Sequence, residues 1–213
     1  MPPQAGGETA GRQRSRARVI SQTSTAADEA IARPIRMANL FWVALALAAM
    51  GAVIARGNLW LLNFTHVLAG VLWTGIDLFM GFVVGPILRA VPLPVRRAII
   101  CRLMPKMLLL MPTLAIITGT AGYALADRLG FLKAAYPAFW WVVAALVIIG
   151  VLTVQGLGLL LPTNLIVYFE LRKPIPDLAR IGRLMRRYVR GVALQGALQI
   201  AILLVMARFV TGL

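Results

Sequence analysis

The sequence predicts an all-α fold, a polytopic membrane helical bundle of five transmembrane helices with its N-terminus in the cytoplasm. Three observations carry that expectation. The 213 residues are 60 % hydrophobic and only 14 % charged, with a mean hydropathy of +0.83, whereas a soluble domain is nearer half apolar and a quarter charged. Five apolar runs reach the roughly 20 residues needed to cross about 30 Å of hydrocarbon. The formal net charge of +15 is confined largely to alternate connections between those runs. The single cysteine, Cys101, excludes a disulfide scaffold, and the apolar content excludes a disordered chain.

In chain order, residues 1–36 read as a disordered, basic cytoplasmic tail. They hold no apolar core of the kind a signal peptide or a span requires. The five spans follow at about 37–55, 59–88, 104–126, 138–167 and 192–210, which together make residues 37–213 the transmembrane domain. The second and fourth exceed the minimum length, so they tilt, kink or project beyond the bilayer. Between the fourth and fifth, Leu178, Ile181, Leu184, Met185 and Tyr188 recur at helical spacing, while Arg180, Arg183, Arg186, Arg187 and Arg190 take the other face. That pattern predicts a basic amphipathic interfacial helix at about 175–190, and a helix that docks a protein partner would look the same.

The basic residues test this division independently. Arg12, Arg14, Arg16, Arg18, Arg33 and Arg36 lie in the tail; Arg89, Arg96, Arg97, Arg102 and Lys106 in the second connection; Arg172, Lys173, Arg180, Arg183, Arg186, Arg187 and Arg190 in the fourth. Only Arg56, Arg128, Lys133 and Arg208, of 22 Lys and Arg, fall on the other side. By the positive-inside rule the N-terminus is cytoplasmic and the C-terminus outside. Anionic lipid headgroups are the expected partner of this charge, and nucleic acid is not. Of the five tryptophans only Trp73 lies deep in a span; the others sit near span ends, as amphipathic rings prefer.

Ionisable groups inside spans are functional candidates by default. Two occur, His66 and Asp77, both on the second span. Eleven residues of helix bring them within about 20° of one face and about 16 Å apart along the axis, with Gly70, Trp73 and Thr74 between them. His66 suits a haem or metal ligand, a proton relay, or a hydrogen-bonded packing residue. Asp77 has no basic residue at its depth, and depth counting makes Gln155, Gln195 and Gln199 its candidate partners on a proton or ion path. The plain alternative is interhelical hydrogen bonding, worth about 0.6 kcal/mol per bond. Gly81 with Gly85, and Gly119 with Gly122, predict close helix packing, and Pro112 predicts a kink in the third span. Met104, Met107 and Met111 share one face and read as core lining rather than as a copper ladder. With one Cys and one His the chain offers no zinc cluster, thiolate iron–sulfur site or intramolecular bis-histidine haem site, and no P-loop or inverted repeat is visible.

The run His66-Val-Leu-Ala-Gly70-Val-Leu-Trp73-Thr-Gly75, followed by Phe79, Pro86, Met111-Pro112 and Gly119, resembles a group of bacterial membrane proteins. The group comprises the copper-resistance D-like (CopD-like) family, the membrane domain of the urate-oxidising PuuD type and the membrane protoporphyrinogen oxidases of the HemJ type. The resemblance covers residues 66–122. It implies a helical bundle in a bacterial inner membrane in which the histidine binds b-type haem or, in some members, is linked to copper handling. Only His66 carries over as a ligand, because the further histidines and buried lysine of the HemJ type have no counterpart in this sequence.

The leading expectation is therefore a membrane electron-transfer protein, an oxidoreductase-associated subunit of a larger complex, that holds haem b through His66. Trp73 would pack on the ring; the second axial ligand would be a non-histidine residue, for which Met50, at the depth of His66, is the candidate, or would be absent or supplied by another subunit, as in a homo-oligomer that shares the haem between two copies of His66. The alternatives are a small carrier component in which the His66 to Asp77 stripe conducts an ion, a proton or copper, and an accessory or assembly subunit whose polar groups only pin helices together.

Overall fold

A computed structural model describes residues 15, 37–173 and 175–211. The tail expected over 1–36 thus lies, residue 15 apart, outside the described residues. Five helices long and apolar enough to cross a membrane make up the fold, and no strand occurs among the described residues. They are α1 (Met37–Arg56), α2 (Leu59–Ala90), α3 (Leu93–Arg128), α4 (Ala138–Leu171) and α5 (Leu178–Val210). Gly57 and Gly130, at φ +73° and +77°, end α1 and α3 in the left-handed conformation that glycine adopts without steric cost.

Two boundaries depart from the hydropathy reading. Helix α3 begins at Leu93 instead of about 104, so Arg96, Arg97, Arg102 and Lys106 lie on helix and the second connection shrinks to Val91 and Pro92. Pro92 at the N-cap and Pro94 in the first turn explain the start, since proline's fixed φ suits a helix beginning and its missing N–H has no partner there anyway. Helix α5 runs unbroken from Leu178 to Val210, so the expected interfacial helix and the fifth span are one element. Asp177 caps it: its Oδ1 accepts the Arg180 backbone N–H at 2.8 Å, which holds the carboxyl below the usual aspartate range.

Helices α2 and α3 form the most extensive pair; α1 packs mainly on α3, α4 on α5 and on α3, and α5 reaches back to α2. Two apolar clusters result. One, around buried Ala69, Leu114 and Ile117, draws in Ala46, Leu47, Met50, Trp73 and Ile76 and joins α1, α2 and α3. The other, around Cys101, Val167 and Leu171, lies at the basic end and takes Ile181, Leu184 and Met185 from α5, with Ile100 and Met104. Ile181, Leu184 and Met185 of the amphipathic segment are therefore covered by the chain's own helices, while Leu178 and Arg183, Arg186, Arg187 and Arg190 stay exposed. Outward surfaces remain strongly apolar, with Phe82, Val154 and Leu204 at 79, 74 and 68 % exposure, as a lipid-facing surface requires.

Arginines of α3 close the C-terminal ends of three neighbours. Arg96 Nη2 donates to the carbonyls of Arg89 (2.9 Å) and Val91 (3.3 Å), Arg97 Nη2 to those of Leu171 (2.9 Å) and Lys173 (3.2 Å), and Arg128 Nη2 to that of Ile54. The last four carbonyls of a helix lack intrahelical partners and carry partial negative charge, so a guanidinium satisfies both needs. These residues fasten helices, and Arg96 and Arg97 contribute to the charge bias as well. Glu170 completes the basic end. It is 4 % exposed, pairs with Lys173 (2.8 Å) and Arg180 (3.4 Å), and accepts the Asp177 backbone N–H at 3.2 Å.

The expected Gly81–Gly85 packing motif is corrected. A Cβ at Gly81 would meet nothing within 4 Å, and one at Gly85 only the Met80 carbonyl at 3.2 Å. The pair instead lies at a π-helical turn, Met80–Val84, directly before Pro86; a second π turn, Gly156–Leu160, precedes Pro162. Proline cannot donate to the carbonyl four residues back and collides with it in an α-helix, and widening the preceding turn relieves both problems. Helix α3 passes through Pro105 and Pro112 without leaving the helical state.

Candidate functional site

The polar stripe of α2 faces protein, as its periodicity predicts, but its two ionisable residues address different helices. His66 meets α3. A backbone carbonyl can only accept, so the 2.9 Å contact between His66 Nδ1 and the Thr118 carbonyl places a proton on Nδ1. The ring lies flush on Gly122: a Cβ there would come within 2.6 Å of Cε1 and 2.7 Å of Nδ1. One turn along, a Cβ at Gly70 would contact the Thr118 methyl at 3.4 Å. His66 and Gly70 on α2 thus oppose Gly122 and Thr118 on antiparallel α3, each pair four residues apart, which is one helical turn.

Asp77 meets α5. Its Oδ2 accepts hydrogen bonds from Nε2 of Gln195 and, at 2.8 Å, from Nε2 of Gln199. The two glutamines are one turn apart, which lets both amides converge on one oxygen. Gly196, next to Gln195, faces Leu78, and a Cβ there would lie 3.8 Å from the Leu78 side chain, an ordinary van der Waals distance. Both ion pairs found among the described residues belong to Glu170, so none engages Asp77.

Of the residues picked from sequence, Gln195 and Gln199 reach Asp77. Gln155 does not bond it; its Nε2 donates to the Gly191 carbonyl, one turn before Gln195 on α5. Met50 and Trp73 pack against the same Ala69, Leu114 and Ile117 cluster. Residues that sequence reasoning passed over are Thr118, which orients His66, Gly191, which bonds Gln155, and Asn164, whose Nδ2 contacts the Tyr188 hydroxyl at 3.4 Å. The four-residue spacing of Thr118 and Gly122 was the available signal for the His66 seat.

The donor inventory constrains the chemistry. Among the described residues there is no group of three or more His, Cys, Asp or Glu able to hold a metal ion. Around Asp77 the available atoms are carboxylate and amide oxygens, which are hard donors. The side-chain oxygens Oε1 of Gln155, Gln195 and Gln199 are buried without a hydrogen-bond partner. A groove of about 700 Å³ opens between α4 and α5, lined by Val147, Gly150, Val154, Gly158 and Leu194 with Gln155 beside them. No protein-family model matches the chain, and neither a curated protein nor a solved structure is similar to it.

Proposed function

We propose that this membrane protein is a small carrier component in which Asp77, held by Gln195 and Gln199, binds and passes a proton or a small hard cation. The observation that supports this reading is a carboxylate midway along a helix long and apolar enough to cross a membrane, gripped by two amides of a neighbouring helix, with no ion pair to it among the described residues. Pinning two helices needs only an amide or a hydroxyl, at about 0.6 kcal/mol per bond. An aspartate in the same place costs about 2.5–3.5 kcal/mol to insert, which structural pinning alone does not repay. Oxygen donors favour a proton or alkali cation over copper, which prefers sulfur and imidazole. The excess of Lys and Arg on one side supports an N-terminus in the cytoplasm of a bacterial inner membrane, where anionic headgroups attract that charge. Asp77→Asn removes the titratable group with little change of shape. In proteoliposomes under an imposed ion gradient, its flux should fall to that of protein-free vesicles; flux equal to the unmodified chain would overturn the reading.

A second reading rests on His66: a b-type haem ligated by its Nε2, serving membrane electron transfer within a larger complex. The supporting observation is the Nδ1–H bond to the Thr118 carbonyl, since ligand histidines are held by such a bond through the nitrogen that does not bind metal. Met50 and Trp73, on the cluster shared by α1, α2 and α3, are the residues this reading places about the haem. The haem would supply one-electron redox chemistry, and the chain would supply ligand orientation and an apolar surround. Protein purified from a haem-replete host should show a Soret band that His66→Ala abolishes. No band, or a band unchanged by that substitution, excludes the reading.

A further inference from the structure

We infer that the Asp77 cluster is a binding site for one partly or fully dehydrated alkali cation of sodium size, coordinated by the Asp77 carboxylate and glutamine side-chain oxygens. The inference rests on the carrier reading of Asp77 and names its cargo. Its basis is an excess of acceptors. Gln155, Gln195 and Gln199 are 8, 4 and 1 % exposed, and the Oε1 of each is buried without a hydrogen-bond partner. Their amide nitrogens are already committed, two to Asp77 Oδ2 and one to the Gly191 carbonyl. Two of the orphaned carbonyl oxygens thus belong to the amides that hold the carboxylate, and the third, on Gln155, lies at the Gly191 contact one helical turn before Gln195.

Each buried acceptor left without a partner costs about 1–3 kcal/mol, so the region is built for something electropositive. A single proton on Asp77 creates one donor and satisfies one oxygen. A cation accepts several oxygens at once, and a half turn of a glutamine amide brings its oxygen to where its N–H now points at Asp77. Charge selects the valence, because one carboxylate among neutral amides balances one positive charge. Hardness selects the element class, because oxygen-only donors suit alkali ions and not soft metals. The relevant amides come from α5 and the carboxylate from α2, so occupancy would tie the two helices together.

The test uses the full chain in detergent at fixed pH and fixed ionic strength, with sodium chloride exchanged for choline chloride. Sodium should raise the melting temperature saturably and choline should not. Gln199→Ala should weaken the apparent sodium affinity at least tenfold, and Asp77→Asn should remove the response. If Asp77→Asn does not fold, Asp77→Glu serves instead: it keeps the charge, moves it by one methylene, and should retain a response with altered affinity. Identical melting in sodium and choline overturns the inference and leaves buried water as the occupant of the orphaned oxygens. A sodium response that survives Asp77→Asn overturns it also. Proton flux that depends on Asp77 without any sodium effect refutes the cation and spares the carrier reading. Sodium binding without flux refutes the carrier reading and spares the site.

Discussion

Gly122→Ala is expected to destabilise the α2–α3 contact by about 1–3 kcal/mol, the usual range for forcing a methyl into a filled space. The added carbon would lie 2.6 Å from His66 Cε1 and 2.7 Å from Nδ1. An imidazole has only two side-chain torsions, so it cannot retreat without giving up the Nδ1 bond to the Thr118 carbonyl. Gly119, one turn of α3 earlier, provides the control: a Cβ there meets nothing within 4 Å, and Gly119→Ala should be neutral or stabilising because alanine is the better helix former. The steric account makes a further demand. His66→Ala opens space that the new methyl can enter, so the double variant should be more stable than the sum of the two single changes. Denaturation midpoints of the four proteins in detergent measure this. Equal effects at Gly119 and Gly122, or strict additivity with His66→Ala, would refute it.

The parts of the fold legible in sequence were those controlled by hydropathy and helical period. The spans of α1 and α2 fall within a few residues of their helices because apolar residues give way there to Arg56 and to Pro92. Helix α3 escaped because hydropathy reports the bilayer, whereas hydrogen bonding continues past it along Arg96, Arg97 and Arg102. The alternation over 178–188 announced an apolar face, but its cover, Cys101, Val167 and Leu171, comes from two other helices. Period also placed His66 and Asp77 on one protein-facing stripe. Depth counting found Gln195 and Gln199 and misassigned Gln155, since depth fixes height in the membrane but not direction around the helix axis. The Gly81–Gly85 spacing misled because the nearby Pro86, through its π turn, decides what those glycines do.

Removing both amides from Asp77, by Gln195→Leu with Gln199→Leu, should destabilise more than removing the whole polar group. Hydrogen bonds to a charged acceptor contribute about 1.5–3 kcal/mol each in soluble proteins, while polar contacts between membrane helices reach at most about 1.7 kcal/mol. At the average of about 0.6 kcal/mol per bond the double variant should lose at least about 1 kcal/mol, and more because it leaves the carboxylate in apolar surroundings. Adding Asp77→Leu deletes the stranded group. The triple variant should regain most of the loss, as happens when a buried ionic cluster is replaced whole by well-packed apolar residues. Such recovery would show that Asp77 and its glutamines are dispensable for holding α2 to α5. Flux then separates the two purposes of the cluster. Under the carrier reading the triple variant is stable and inactive. A triple variant that stays as unstable as the double would mean that the polar cluster is the fastening between the helices, and its cost in the bilayer would then have a structural explanation.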